Sequence, residues 1–342
     1  MARVALTLLF ILAVSGQFGR AEACDPRTAL GLARTVEVNG SGGPVYGDIT
    51  KAPKEASFLA PKEGVLTFDD GPMPWVTAAI LDTLDRHCTK ATFFSVGRMA
   101  IAYPESVREI LLRGHTLGTH TWSHPLNIAR LRPDKAKDEI ERGFAAVAMA
   151  AGRPIAPFFR FPGLSDSSLL IGHLKGRAIA TFTVDVVSND SYISDPQRLA
   201  RRTIERTEAR QGGILLFHDI KAATAKALPT ILAELKARGY RVVHMRSVNP
   251  VEPVTTYDGE LGTMLAKVEV AAGKRKLTPF FGAASTVRLE PDDALAIHAR
   301  GATEIAGATT ARDRGLAVPA LSSPSAPTVK RPKRPVRQSE TD

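Results

Sequence analysis

Residues 60–250 predict a parallel α/β barrel, and three observations carry that expectation. The span is about the size of one α/β domain. Within it, seven short apolar runs alternate with amphipathic stretches, the pattern of a parallel sheet, open or closed. Five of those runs also bring ionisable residues to, or just past, their carboxyl ends. A closed barrel gathers such ends round one centre and an open sheet spreads them apart, so the closed form is favoured.

The strand candidates are residues 65–68, 91–96, 115–119, 157–161, 179–186, 214–217 and 240–244. Between them, Val76, Ile80 and Leu84 share one helical face, as do Ile140, Phe144 and Val147. Leu228, Ile231, Leu232 and Leu235 repeat the pattern nearer the end. Asp134 suits a helix start and Gly239 a helix stop.

The chain divides into four parts. Residues 1–23 read as a secretory signal peptide: Arg3, an uncharged run over 4–16, then Ala21-Glu22-Ala23 as a small-residue cleavage site. The run is short for a membrane span, and an uncleaved anchor is the alternative. Glu22, with no Leu or Val at position 21, argues against a lipoprotein signal ahead of Cys24. Residues 24–60 form an N-terminal extension, 61–248 the main domain and 249–342 a C-terminal extension. The last is rich in Ala, Pro, Ser and Thr, offers at most a strand and short helix over 277–307, and closes on the basic run 330–337. Its end is expected to be disordered.

Cys24 and Cys88 are the only cysteines. Export permits a bridge between them that would tie the mature N-terminus to the domain, with two unpaired thiols as the alternative. No Cys-rich zinc motif is available, so a metal must be held by His and carboxylate. The net charge is +10; Arg3 and Arg20 against Glu22 place +1 of it in the signal segment. An exported basic protein suits anionic partners such as a cell envelope, and its compartment excludes nucleic acid.

The chemistry concentrates in Thr67-Phe-Asp69-Asp70-Gly71-Pro72 and His120-Thr-Trp-Ser-His124. One carboxylate and two imidazoles can hold a divalent metal and leave positions open for water and substrate. The second aspartate is then free to take a proton. Arg160 ends the fourth run, Asp185 lies late in the fifth and His218 follows the sixth. Each has a plainer reading taken singly: a turn, a surface imidazole pair, an ion pair, a structural carboxylate, a core histidine. Trp75 and Trp122 flank the loops, suited to stacking on a sugar or to ordinary packing.

Over residues 60–245 the chain resembles the polysaccharide deacetylase family, carbohydrate esterase family 4. The two motifs above look like its first and second, Arg160-Phe-Pro162 like its third, Asp185 like its fourth and Leu215-Leu-Phe-His218 like its fifth. The resemblance implies a distorted (β/α)7 barrel and a metal bound by Asp70, His120 and His124, usually zinc, with cobalt or another divalent ion possible. It implies Asp69 as general base, His218 as general acid, Arg160 orienting Asp69, and Asp185 acting through its neighbours. The implied activity is removal of N-acetyl groups from amino-sugar polymers such as peptidoglycan or chitin-like glycans. An O-acetyl esterase and an idle carbohydrate-binding protein on the same scaffold are the alternatives. Two positions depart from the family pattern. Gly163 replaces an aromatic whose backbone N–H helps hold the oxyanion. The fourth motif, which usually carries a second Asp and a Trp, here runs from Asp185 through Val186-Val-Ser-Asn-Asp190 with no Trp.

Overall fold

The computed structural model describes residues 24–276. The signal peptide expected over 1–23, the strand and helix expected over 277–307 and the basic run at 330–337 lie outside them. In chain order the strands are β1 (Arg34–Val38), β2 (Val45–Tyr46), β3 (Glu63–Asp69), β4 (Thr92–Ser95), β5 (Thr116–Thr119), β6 (Phe158–Phe159), β7 (Ala180–Phe182), β8 (Val186–Val187), β9 (Gly212–His218) and β10 (Arg241–Ser247). The helices are α1 (Pro74–Arg86), α2 (Gly97–Ala102), α3 (Pro104–Leu112), α4 (Pro133–Ala151), α5 (Ser168–Gly176), α6 (Pro196–Arg210), α7 (Ala222–Ala237) and α8 (Asp258–Lys276). Four of them open on proline, whose fixed φ suits a first helical turn and whose missing N–H costs nothing there.

Every strand ladder is parallel. From β3 one arm runs β4, β5, β6, β7, and on its other edge β9 and then β8 follow. The arms meet where β7 passes into β8 with only Thr183, Val184 and Asp185 between, so the sheet closes as a distorted (β/α) barrel. The single strand expected over 179–186 is thus two short ones. At the break, the Phe182 and Thr183 carbonyls accept from Arg160 Nε and Nη2, both at 3.2 Å, where a ladder would otherwise take them. β10 joins the foot of β3, β1 pairs with β10, and β2 pairs with β7, so the segment ahead of residue 60 adds two strands.

Alternation along the strands decides what faces inward. Val65, Phe94, Phe158, Ile214 and Leu216 belong to one apolar cluster, while their neighbours Leu66, Phe93, Phe159, Leu215 and Phe217 pack with the helices in another. Continuing the inner row by twos from Val65 gives Thr67 and Asp69, and from Leu216 it gives His218. Asp69 and His218 are partners in the β3–β9 register. The inner row therefore changes from apolar to ionisable at the carboxyl ends of the strands, where a barrel builds its site.

Cys24 and Cys88 are disulfide-bonded, with Cα atoms 5.9 Å apart and a sequence separation of 64. A loop of that length loses enough unfolded-chain entropy for the bridge to contribute about 4 kcal/mol. Reduction, or Cys88→Ser, is expected to lower the denaturation midpoint accordingly, read by urea unfolding with and without reductant.

Candidate active site

Two loops carry the metal-ligand candidates, and both hold backbone that non-glycine residues avoid. Asp70 has φ +78°, Thr121 +71° and His124 +61°. Such conformations cost of order 1–3 kcal/mol each and persist only where the surroundings fix them. In the first loop the Asp219 carboxylate does so, accepting from Gly71 N–H at 2.9 Å and from Thr77 Oγ1 at 2.8 Å. A Cβ on Gly71 would stand 2.1 Å from Asp219 Oδ2, so only glycine fits there. Burial, with the nearby Asp70 charge, pushes Asp219 up to about 7 against the pull of those hydrogen bonds. In the second loop Glu139 accepts from Ser123 N–H at 2.8 Å and from Ser123 Oγ at 2.7 Å.

The loops bring Asp70, His120 and His124 together, with one donor atom from each within 4.8 Å of the others. His120 Nδ1 lies 2.7 Å from the Arg160 carbonyl, which can only accept, so Nδ1 carries the proton and Nε2 presents a lone pair. Burial lowers the His120 pKa to about 4, which keeps the ring neutral at physiological pH. Its Nε2 is 3.6 Å from Asp70 Oδ1, and His124 Nε2 is 3.1 Å from the same oxygen. That oxygen is buried and accepts no hydrogen bond. Burial opposes the Asp70 charge, but His124 and the neighbouring imidazoles outweigh it and hold the carboxyl far below its ordinary value. Zinc bonds of about 2.0–2.2 Å at tetrahedral angles separate donor atoms by about 3.4 Å. The donor spacings and the orphaned oxygen fit a divalent cation held by two nitrogens and one carboxylate.

Asp69 stands beside this trio. Its Oδ1 accepts from Arg160 Nη1 at 2.7 Å, and its Oδ2 is 3.8 Å from His120 Nε2. Arg160 is wholly buried, donates to Thr67 Oγ1 at 2.8 Å and lies 4.3 Å from the Phe94 ring centre. The guanidinium is thereby fixed from several sides, and Asp69 is fixed through it.

His218 approaches Asp70 Oδ2 to 3.9 Å through Nε2. Its Nδ1–H donates to Asp190 Oδ1 at 2.7 Å, while Asp190 Oδ2 accepts from the His218 N–H at 2.7 Å and from Thr224 Oγ1 at 2.6 Å. Burial opposes the imidazolium, yet the Asp190 hydrogen bond and the charges of Asp190, Asp70 and Asp69 lift His218 to about 9.

Asp185 touches neither His218 nor the ligand trio, but its charge acts on Arg160, which holds Asp69. Its carboxylate accepts from Ile214 N–H at 2.7 Å and Asp48 N–H at 3.0 Å, and burial raises its pKa. Ile214 lies four residues before His218, about 13 Å down the strand. The carboxylate that serves His218 is Asp190, which follows the apolar Val186-Val187 run as the other site residues follow theirs; Asp185 precedes that run. Gly163 sits exposed in the turn Pro162–Leu164 with φ +58°, a conformation suited to glycine. Trp122 is buried under Arg142, whose guanidinium lies 4.1 Å from the ring centre, so its role is packing, while Trp75 is half exposed.

Comparison with known proteins shows what the chain is similar to. Residues 59–175 match the family model described as polysaccharide deacetylase. A peptidoglycan-N-acetylglucosamine deacetylase, PgdA, of Listeria monocytogenes is 33% identical over 193 residues, covering 56% of this chain and 40% of that one. The chain thus spans well under half the length of that relative. A chitooligosaccharide deacetylase of Azorhizobium caulinodans is 30% identical over 189 residues, covering 51% of this chain and 89% of the relative. Among solved structures, a peptidoglycan deacetylase of Bdellovibrio bacteriovorus superposes with a TM-score of 0.59 at 32% identity, covering 65% of this chain and 61% of the other.

Proposed function

The chain belongs to the polysaccharide deacetylase family, and from that premise we propose that it is an exported, zinc-dependent hydrolase removing N-acetyl groups from amino-sugar polymers. Its substrates are peptidoglycan or chitin-like glycans, and acetate is the product. One observation carries the reading: Asp70, His120 and His124 converge within 4.8 Å, with Asp69 beside them. The named substrates of the Listeria and Azorhizobium relatives support the choice of glycan. The Cys24–Cys88 bridge supports an oxidising compartment, and the excess positive charge supports attraction to an anionic envelope.

Asp70, His120 and His124 would hold the cation. When bound, it supplies Lewis-acid charge that polarises a carbonyl and makes water more acidic. Asp69 has one oxygen occupied by Arg160 and the other turned toward the site, so Oδ2 takes the proton of the attacking water. His218 is held protonated by Asp190, and its Nε2 gives that proton to the departing amine nitrogen. By the resemblance, Gly163 would offer its backbone N–H to the oxyanion, and it brings no ring to the sugar.

Acetate release in the presence of zinc tests the reading on three substrates. Chitooligosaccharides or peptidoglycan are expected to be deacetylated, and acetylxylan to be spared. Release from acetylxylan alone would assign ester hydrolysis instead. No release from any of them by folded, zinc-loaded protein would contradict the proposal.

The acid also predicts a pH limb. His218 donates while protonated, so kcat/KM is expected to fall as pH rises through a value at or below about 9, since a bound cation opposes the rise. Asp190→Asn removes the charge that sustains the imidazolium. It should move this limb to lower pH in a kcat/KM profile.

A further inference from the structure

The ligand loop His120–His124 does not stand alone: its outer side is covered by a helix beyond the region of the family match. Trp122 shares a buried apolar cluster with Ile101 of α2, Ala145 and Ala146 of α4, and Leu261 of α8. Leu261 is fully buried. From α8, Glu260 pairs with Arg142, the residue stacked on the Trp122 ring. Tyr257 Oη donates to Asp138 at 2.9 Å just ahead of that helix, and Glu269 pairs with Arg108 at 2.8 Å further along it.

The loop's backbone is equally confined. Gly97 and Arg98 N–H groups, opening α2, donate to the Thr121 and Trp122 carbonyls at 2.9 and 3.0 Å, and Trp122 N–H donates to the Glu139 carbonyl at 2.8 Å. A Cβ on Gly143 would lie 2.7 Å from the Thr121 carbonyl carbon, and one on Gly97 2.9 Å from Trp122 Cε3. The helices thus hold the loop at distances only glycine permits. Thr121 and His124 keep their unfavourable φ because the loop has no room to relax.

We infer that α8 is a positioning element for the metal site, acting through Leu261, Glu260 and Arg142 on Trp122, and through Trp122 on His124. The inference rests on the reading of Asp70, His120 and His124 as metal ligands. Its effect falls on His124, since His120 is separately fixed by the Arg160 carbonyl. Losing a partner hydrogen-bonded to a ligand weakens metal binding by about 10–100-fold, and α8 stands one residue further out, so the lower end of that range is expected.

The test is zinc affinity of the full chain, measured by competition with a chromophoric chelator. Leu261→Ala is expected to weaken zinc about 10-fold, and Trp122→Ala likewise, while Trp122→Phe recovers most of the affinity. Glu260→Gln, an exposed change that leaves the core intact, is expected to weaken zinc less but in the same direction. Leu235→Ala, buried in α7, provides a control that lowers thermal stability without touching this cluster. Unchanged zinc affinity in Leu261→Ala and Glu260→Gln, or an equal loss in Leu235→Ala, would overturn the inference and leave the proposed function standing. Wild-type protein that bound no zinc would instead remove the ligand reading, and this inference with it.

Discussion

Asp69→Asn is expected to reduce acetate release from chitooligosaccharide by about 10²–10⁴-fold, the usual worth of a positioned base. Zinc uptake should survive, because Asp70 and not Asp69 supplies the carboxylate of the ligand trio. The fold should survive as well. Arg160 keeps Thr67 Oγ1 and the Phe182 and Thr183 carbonyls as acceptors, and an Asn oxygen can still take its Nη1–H. Steady-state kinetics alongside zinc titration separates lost chemistry from lost binding. Activity close to that of the wild type would remove Asp69 from the base role.

His218→Ala is expected to cost a comparable factor on the amide substrate, about 10²–10⁴-fold, for a different reason. An amine must be protonated to leave, and His218 is the side chain that Asp190 holds protonated beside Asp70. An aryl acetate expels a stable phenolate that needs no such proton. The loss on that ester should therefore be far smaller, whereas Asp69→Asn should damage both reactions. Equal losses on amide and aryl ester in His218→Ala would show that the imidazole serves something other than the leaving group.

Much of this arrangement is legible in the chain because one rule generates it. An apolar strand that enters the barrel must alternate, and the residue ending its inner row meets the site. Asp69 and His218 obey that rule, and the helical faces of Val76-Ile80-Leu84 and Ile140-Phe144-Val147 are buried as their spacing requires. β1 and β2 escape it. Arg34–Val38 is mostly exposed and carries charge, and Val45–Tyr46 is two residues long, so neither leaves an apolar run to find. α6 is missed because its sequence is largely charged, with only a narrow buried stripe at Leu199, Ala200, Thr203, Ile204 and Thr207.

The displacement of Asp185 by Asp190 has a physical cause too. β7 and β8 read as one continuous apolar run, which puts Asp185 near its end. The break that Arg160 makes by taking the Phe182 and Thr183 carbonyls restarts the strand at Val186 and moves its true end toward Asp190. Such a break depends on a guanidinium from a distant strand, which no local pattern records. Asp219 and Glu139 went unread for a similar reason. Asp219 acts on the Gly71 N–H, 148 positions away, and Glu139 on the Ser123 N–H of a neighbouring loop, and their residue types alone are unremarked at a strand end or on a helix.

Zinc-edge anomalous diffraction from crystals of the full chain soaked in zinc tests the central claim most directly. A single strong peak is expected bonded to one Asp70 carboxylate oxygen and to Nε2 of both His120 and His124, with Asp69 Oδ2 nearby and not bonded. A peak held by other residues, or an empty site in well-ordered crystals, would contradict it.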